Sequence, residues 1–183
     1  DTNGDFAGTF LSSNVQPNAR VYYNPTQNNW RGSAIVNGSD DLSIMALQYN
    51  SADTYAAYVG VNQPTASIHV PLLHKDNSGW DSELYIFNTG TSATDVEVSY
   101  KALPGVGSTC NNQNYPNVPA NGLLIIDLDM VGCIGSQFVG SAYITNNQNH
   151  PLAVASTQAL GNSSLMEVSH NQSEGNVAYA PLI

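Results

Sequence analysis

Short runs of alternating apolar and polar residues dominate the chain. Residues 95–100, Asp-Val-Glu-Val-Ser-Tyr, alternate strictly, which turns one face of a strand toward a core and the other toward water. Runs at 20–23, 33–36, 42–48, 54–61, 67–73, 83–88, 141–145 and 152–158 are rich in Val, Ile, Tyr and Thr and are bounded by Gly, Pro, Asn or Asp. Residues 123–128 join them, and their opening Leu-Leu-Ile-Ile is apolar on both faces, which predicts a central strand. Turn chemistry separates the runs: Asn37-Gly38, Asn77-Ser78-Gly79, Asn88-Thr89-Gly90, Pro104-Gly105 and Asn121-Gly122. Residues 83–90 followed by 95–98 read as a hairpin. No segment sustains a 3.6-residue period with caps. The predicted class is all-β, an antiparallel β-sandwich.

The pattern also repeats. Residues 42–73 align without a gap to residues 152–183 at an offset of 110, and Gly32-Ser33-Ala34-Ile35-Val36 matches Gly140-Ser141-Ala142-Tyr143-Ile144 two residues out of step. Few positions are identical, among them Gln48/Gln158, Pro71/Pro181 and Leu72/Leu182, but the order of apolar residues is kept. A fixed period signals repeat architecture, and roughly 110 residues is an ordinary domain size. The expected organisation is a partial repeat over 1–62, a complete repeat over 66–175, and a strand over 176–183 that copies the opening of the complete repeat. By strict alternation Ala178, Ala180 and Leu182 are expected to take the inward places of Ile68, Val70 and Leu72.

Within this frame stand V-P-L at 70–72, G-W-D-S-E-L-Y-I-F-N-T-G at 79–90, D-V-E-V-S-Y at 95–100, F-V-G-S-A-Y-I at 138–144 and P-L-A-V-A at 151–155. The pattern resembles tandem immunoglobulin-like β-sandwich repeats of secreted bacterial cell-surface proteins. It covers residues 66–160 well and 30–73 more loosely. The resemblance implies a fold and an extracellular, cell-surface location. Its motifs are patterned rather than catalytic, so they imply no chemistry.

Charge narrows the partners. Arg20, Arg31, Lys75 and Lys101 are the only Lys and Arg residues, against 14 acidic ones, for a formal net charge of −10. Such a surface repels nucleic acid, which needs clustered Lys and Arg, and anionic lipid as well. Solubility falls to amides and hydroxyls, including 22 asparagines. The chain shows no initiator Met, no signal peptide and no apolar run of about eighteen residues. It therefore reads as a mature or excised polypeptide with no membrane span.

Two cysteines, Cys110 and Cys133, flank a loop and a strand in the complete repeat only. A disulfide between them is expected, worth roughly 3 kcal/mol in the chain-entropy picture; two buried free thiols are the alternative. A metal site needs more ligands than this pair offers. Sequons place candidate glycosylation at Asn37, Asn162 and Asn171, while Pro25 excludes Asn24.

Other candidate chemistry meets a plainer reading each time. Residues 1–5, Asp-Thr-Asn-Gly-Asp, have the spacing of a calcium loop, but Ser12 stands where its final Glu belongs. An acidic terminus is the plainer reading. His69 and His74 flank Pro71 with Asp76 nearby, yet strand-end histidines usually face solvent; His150 and His170 have no evident partners. Asp127 and Asp129 share one face of a predicted strand, the arrangement of a glycosidase pair, though solvated acids are commoner there. Tyr22, Tyr23, Tyr49, Tyr55, Tyr58, Trp30 and Trp80 could form a sugar-stacking platform, or simply pack as strand residues with polar tips. No nucleophile elbow, P-loop, dinucleotide fingerprint or zinc-protease motif is present, so the expectation is a protein that is not an enzyme and needs no cofactor.

Two functions remain. One is a structural subunit of an extracellular filament, a homopolymer joined head to tail by strand donation. Its inter-subunit strand would comprise Val177, Ala178, Tyr179, Ala180, Leu182 and Ile183. The other is an adhesive module of a larger surface protein that binds surface glycans.

Overall fold

A computed structural model of the chain describes residues 3, 8–11, 15–16, 19–22, 32–39, 44–49, 55–161 and 163–170. Ten strands follow in order: β1 (Met45–Tyr49), β2 (Tyr55–Val59), β3 (Ser67–Lys75), β4 (Trp80–Asn88), β5 (Thr94–Ala102), β6 (Cys110–Val118), β7 (Leu123–Asp127), β8 (Phe138–Asn146), β9 (Leu152–Leu160) and β10 (Ser164–His170). Strands β3 to β10 build two four-stranded antiparallel sheets, ordered β10-β9-β4-β7 and β3-β8-β5-β6. Strands β1 and β2 form a separate hairpin, with β2 running beside β10. The all-β antiparallel sandwich expected from the alternation is what the chain forms. Among the described residues no helix is long and apolar enough to cross a membrane.

Alternation explains the core. Leu84 and Ile86 of β4, Val96, Val98 and Tyr100 of β5, and Ala142 and Ile144 of β8 lie every second residue and pack into one buried cluster between the sheets. Tyr100 meets Phe138 edge-to-face with ring centroids 6.2 Å apart, an arrangement that suits aromatic quadrupoles.

Four expectations change. Residues 83–98 are not a hairpin, because β4 and β5 belong to opposite sheets and the turn between them is an arch. Their inward residues face one another across the core, and no ladder joins them. Asn88 holds the arch from inside: fully buried, its Nδ2 reaches the carbonyls of Ser92 (2.9 Å), Val118 (3.1 Å) and Pro119 (3.0 Å), and its Oδ1 accepts from Gly90 N (2.9 Å). Second, β7 is an edge strand, not a central one. Its Leu124 and Ile126 turn to the core, and Leu123 and Ile125 between them are apolar as well, so both faces are apolar without a second ladder. Third, residues 20–22 and 33–36 lie in no strand, since no partner strand lies beside them among the described residues. Fourth, β6 and β10 were not read as strands. Residues 110–118 are mostly polar because β6 is an edge with only Cys110 and Val118 fully inward, and an edge tolerates Pro116.

Asparagine content has a conformational use here. Of the six non-glycine residues with positive φ among those described, Asn112, Asn117, Asn121 and Asn149 are four. Asn enters the left-handed region more readily than other side chains, so it serves the turns and bulges that would otherwise need Gly.

Cys110 and Cys133 form a disulfide, 23 residues apart with Cα atoms at 5.8 Å. It ties the start of β6 to the 3-10 turn Gly132–Ile134 that leads from β7 into β8, and its loop encloses both β6 and β7. Replacing both cysteines with Ser should cost about 3 kcal/mol, lowering Tm by roughly 6–12 °C for a chain of this size. Asn88→Ala strands several buried carbonyls and should cost about 3 kcal/mol, measurable by urea titration with an unchanged m-value.

Candidate assembly site

Among the described residues, strand β3 lies at the edge of its sheet and pairs with β8. The ladder sets Ser67 opposite Thr145, Ile68 opposite Ile144, His69 opposite Tyr143 and Val70 opposite Ala142, then shifts so that Leu73 faces Gly140. The shift falls at Pro71, which has no N–H to give the ladder. The bulge reverses the phase of the strand. Leu73 is fully buried and Leu72 is 42% exposed, so the expectation that Leu72 points inward is corrected.

Opposite the bulge, Gly140 is required by space. A Cβ there would lie 2.2 Å from the Lys101 carbonyl oxygen and 2.5 Å from the Phe138 ring. On the outer face His69 stacks on Tyr143 with centroids 4.5 Å apart. Both rings border an open groove of about 420 Å³, with Ser99, Lys101 and Asn111 across from them.

The two hairpins share a register. In β1–β2, Met45 faces Val59 and Tyr49 faces Tyr55. In β9–β10, Ala155 faces Ser169 and Ala159 faces Leu165. Adding 110 to both members of each first pair gives the second pair. Gly60 N donates to Ile44 O (2.9 Å) where the second hairpin sets His170 opposite Val154.

The two copies differ in cover. Of fourteen exposed large hydrophobic residues among those described, ten lie between Phe10 and Val59, including Ile35 (59%), Val36 (52%) and Met45 (72%). Residues 32–36, which match the middle of β8 in sequence, form neither strand nor bridge, and 34–36 are exposed. Gly140-Ser141-Ala142 within β8 and Gly32-Ser33-Ala34 are the same three residues.

They also differ in polarity at the hairpin end. His170 is buried, and its Nε2 lies 2.8 Å from Ser156 Oγ; the first copy has Gly60 and Ala46 at these places. Burial holds the His170 imidazole down at about 4, below its ordinary 6.5.

The remaining candidates do not converge. His74 sits 6.3 Å from the Trp80 ring with Asn77 Nδ2 3.3 Å from its Nδ1; burial lowers its pKa and Asp81 opposes that. His69 is on the outer face and Asp76 binds through its backbone N to Asp81 Oδ1. Among the described residues no group of three His, Cys, Asp or Glu side chains could hold a metal ion. Asp127 and Asp129 do not share a strand face: Asp127 ends β7, and its Oδ1 accepts from Asp129 N (3.0 Å) in the 3-10 turn Leu128–Met130. Lys75 Nζ donates to the carbonyls of Asp129 in the same turn and of Val131 just after it, at 3.0 Å each. Of the aromatic set, Tyr22 is exposed with Arg20 above its ring, Tyr58 is half-buried in β2 and Trp80 lies far along the chain at the start of β4. Tyr23, Trp30 and the side chains of Tyr49 and Tyr55 lie outside the described residues, as do Asp1, Asp5, Asn162, Asn171 and the whole of 176–183. Asn37 is exposed.

No protein-family model matches the chain. No curated protein matches it either. A crystal structure of Thermotoga maritima 1070 is similar to it with a TM-score of 0.48 and 16% identity, over 63% of this chain and 100% of that one.

The histidine makes stability depend on pH. The unfolded imidazole takes up a proton near 6.5, and the buried one only near 4. The His170 contribution is therefore complete above pH 6.5 and lost as pH falls toward 4, on the order of 3 kcal/mol in full. Melting curves at pH 7 and pH 5 should differ more in the native protein than in His170→Gln.

Proposed function

We propose that the chain is the structural subunit of an extracellular, cell-surface filament, built head to tail by β-strand complementation between tandem immunoglobulin-like units. The observation that carries this reading is the concentration of exposed apolar side chains in residues 10–59. Exposed apolar patches mark interaction surfaces, and this one falls in the part of the chain that aligns with residues 140–173. The shared hairpin register supports treating 1–62 as part of a second unit. The edge position of β3 supports supply in trans, because a neighbour need replace only one ladder. The disulfide fits an oxidising location.

Energy sets a limit on the strand alone. Ala178, Ala180 and Ile183 would stand where Ile68, Val70 and Leu73 are buried. Burying Ile183 contributes about 1.5–3 kcal/mol, and each ladder hydrogen bond ~1 kcal/mol. Association costs of order 4–15 kcal/mol. A stable junction needs the neighbour's body to cover Ile35, Val36, Met45 and Val59 as well. A head-to-tail contact of this kind does not close, so it propagates.

A second reading, an adhesive module that binds surface glycans, draws on the outer groove beside His69 and Tyr143, where two rings face an amide, a hydroxyl and an ammonium. Deleting 176–183 should leave soluble monomers in negative-stain images while the native chain forms uniform fibres. Fibres from the deletion variant would rule out strand donation. Dispersed native particles retained on a glycan column would favour the second reading.

A further inference from the structure

We infer that the groove on the outer face of β3, β8, β5 and β6 binds a saccharide carrying a single carboxylate, held with that carboxylate at Lys101. The inference rests on the glycan reading and adds to it the class of sugar and its direction in the groove. It holds whether or not the chain polymerises.

Register builds the groove. Tyr143 of β8 stands between His69 of β3 and Ser99 of β5, directly opposite each. His69 stacks on one side of its ring, with centroids 4.5 Å apart. Ser99 stands on the other side and is too short to cover it. Ser141, two residues along β8, is as short and lies opposite Lys101. Two small residues on the central strands therefore separate an aromatic pair from Lys101 and Asn111, and the space between is an open groove of about 420 Å³. Small-ligand clefts span roughly 300–1,000 Å³.

The lining fits a sugar. A pyranose ring has apolar C–H faces and a rim of hydroxyls. The faces match the partly exposed Tyr143 ring, and the hydroxyls match the Asn111 amide and the Ser141 hydroxyl. Two other hydroxyls hold the walls in place. Ser99 Oγ donates to Asn112 Oδ1 (3.2 Å) and accepts from Asn112 N (3.1 Å), and Thr109 Oγ1 accepts from Ala102 N (3.3 Å).

Charge selects the class. Lys101 is exposed, and none of the nine residues lining the groove is acidic. The same outward face of β5 carries Glu97 beyond Ser99, about 13 Å from Lys101 at ~3.3 Å per residue. A carboxylate is drawn to the Lys101 end and turned away from the Glu97 end, so the two charges fix the direction of the ligand. A run of acids would meet Glu97 and the net charge of −10, which favours one carboxylate among neutral sugars.

Isothermal titration calorimetry on the full chain tests it. The probes are sialyllactose and disaccharides ending in glucuronate or galacturonate, each beside its carboxyl-reduced form. At least one acid should bind about ten-fold more tightly than its reduced form, the effect of one charge-assisted hydrogen bond near the surface. Lys101→Met should remove that preference, and Tyr143→Ser should weaken both forms. Both residues are exposed, and melting curves check that the variants stay folded. Ser99→Leu, which fills the groove from the opposite strand, replaces Tyr143→Ser if that variant unfolds. Equal binding of acidic and reduced forms overturns the acidic class while the glycan reading stands. An acid preference that survives both substitutions puts the site elsewhere and overturns the groove alone. Binding of neither form of any probe overturns the inference and the glycan reading together.

Discussion

Burial of Ile68, Val70 and Leu73 beneath an edge strand closes the sandwich, and the rest of the molecule depends on that closure. Strand β3 adds a single ladder to β8, yet its three inward side chains are among the least exposed in the chain. Among the described residues, those between Phe10 and Val59 leave most of the exposed large apolar side chains in water. The hydrophobic term scales with area removed from solvent, so the two regions differ in cover.

Polar side chains do work inside this fold that charges do in others. Asn88 ties the β4–β5 arch to the turn between β6 and β7. Asn146 does the same for the turn into β9, accepting from His150 N (2.8 Å) and donating to His150 O (2.7 Å). A neutral amide carries both a donor and an acceptor, so it can satisfy a buried turn without the desolvation cost of an ion. Lys75 is the buried charged exception among the described residues, and its ammonium is met by the carbonyls of Asp129 and Val131.

The core was legible because period-2 alternation reports one buried face and nothing else is needed to assign it. Residues 95–100 and 141–145 became strands with the faces their pattern dictates. The disulfide partners were legible because only two cysteines exist. Strand β6 was hidden by its Asn-rich edge, and β7 read as central because Leu123 and Ile125 make its second face apolar too. Residues 33–36 have a strand's composition, and among the described residues they form no strand. The buried pair of His170 and Ser156 gave no signal at all, since fourteen residues separate them and only the hairpin register brings them together.

Sequence by itself determined the alternating faces, the turn positions, the repeat and the residues capable of forming its bulge, because each is a property of a few neighbouring residues. Tertiary structure alone decided which sheet each strand joined, that the link from β4 to β5 is an arch, and that Leu73 points inward in place of Leu72. These depend on which distant surface is free to receive a strand, and on the break that Pro71 makes in a ladder whose other half lies some seventy residues away. Local pattern can say that a face must be covered; only packing says by what.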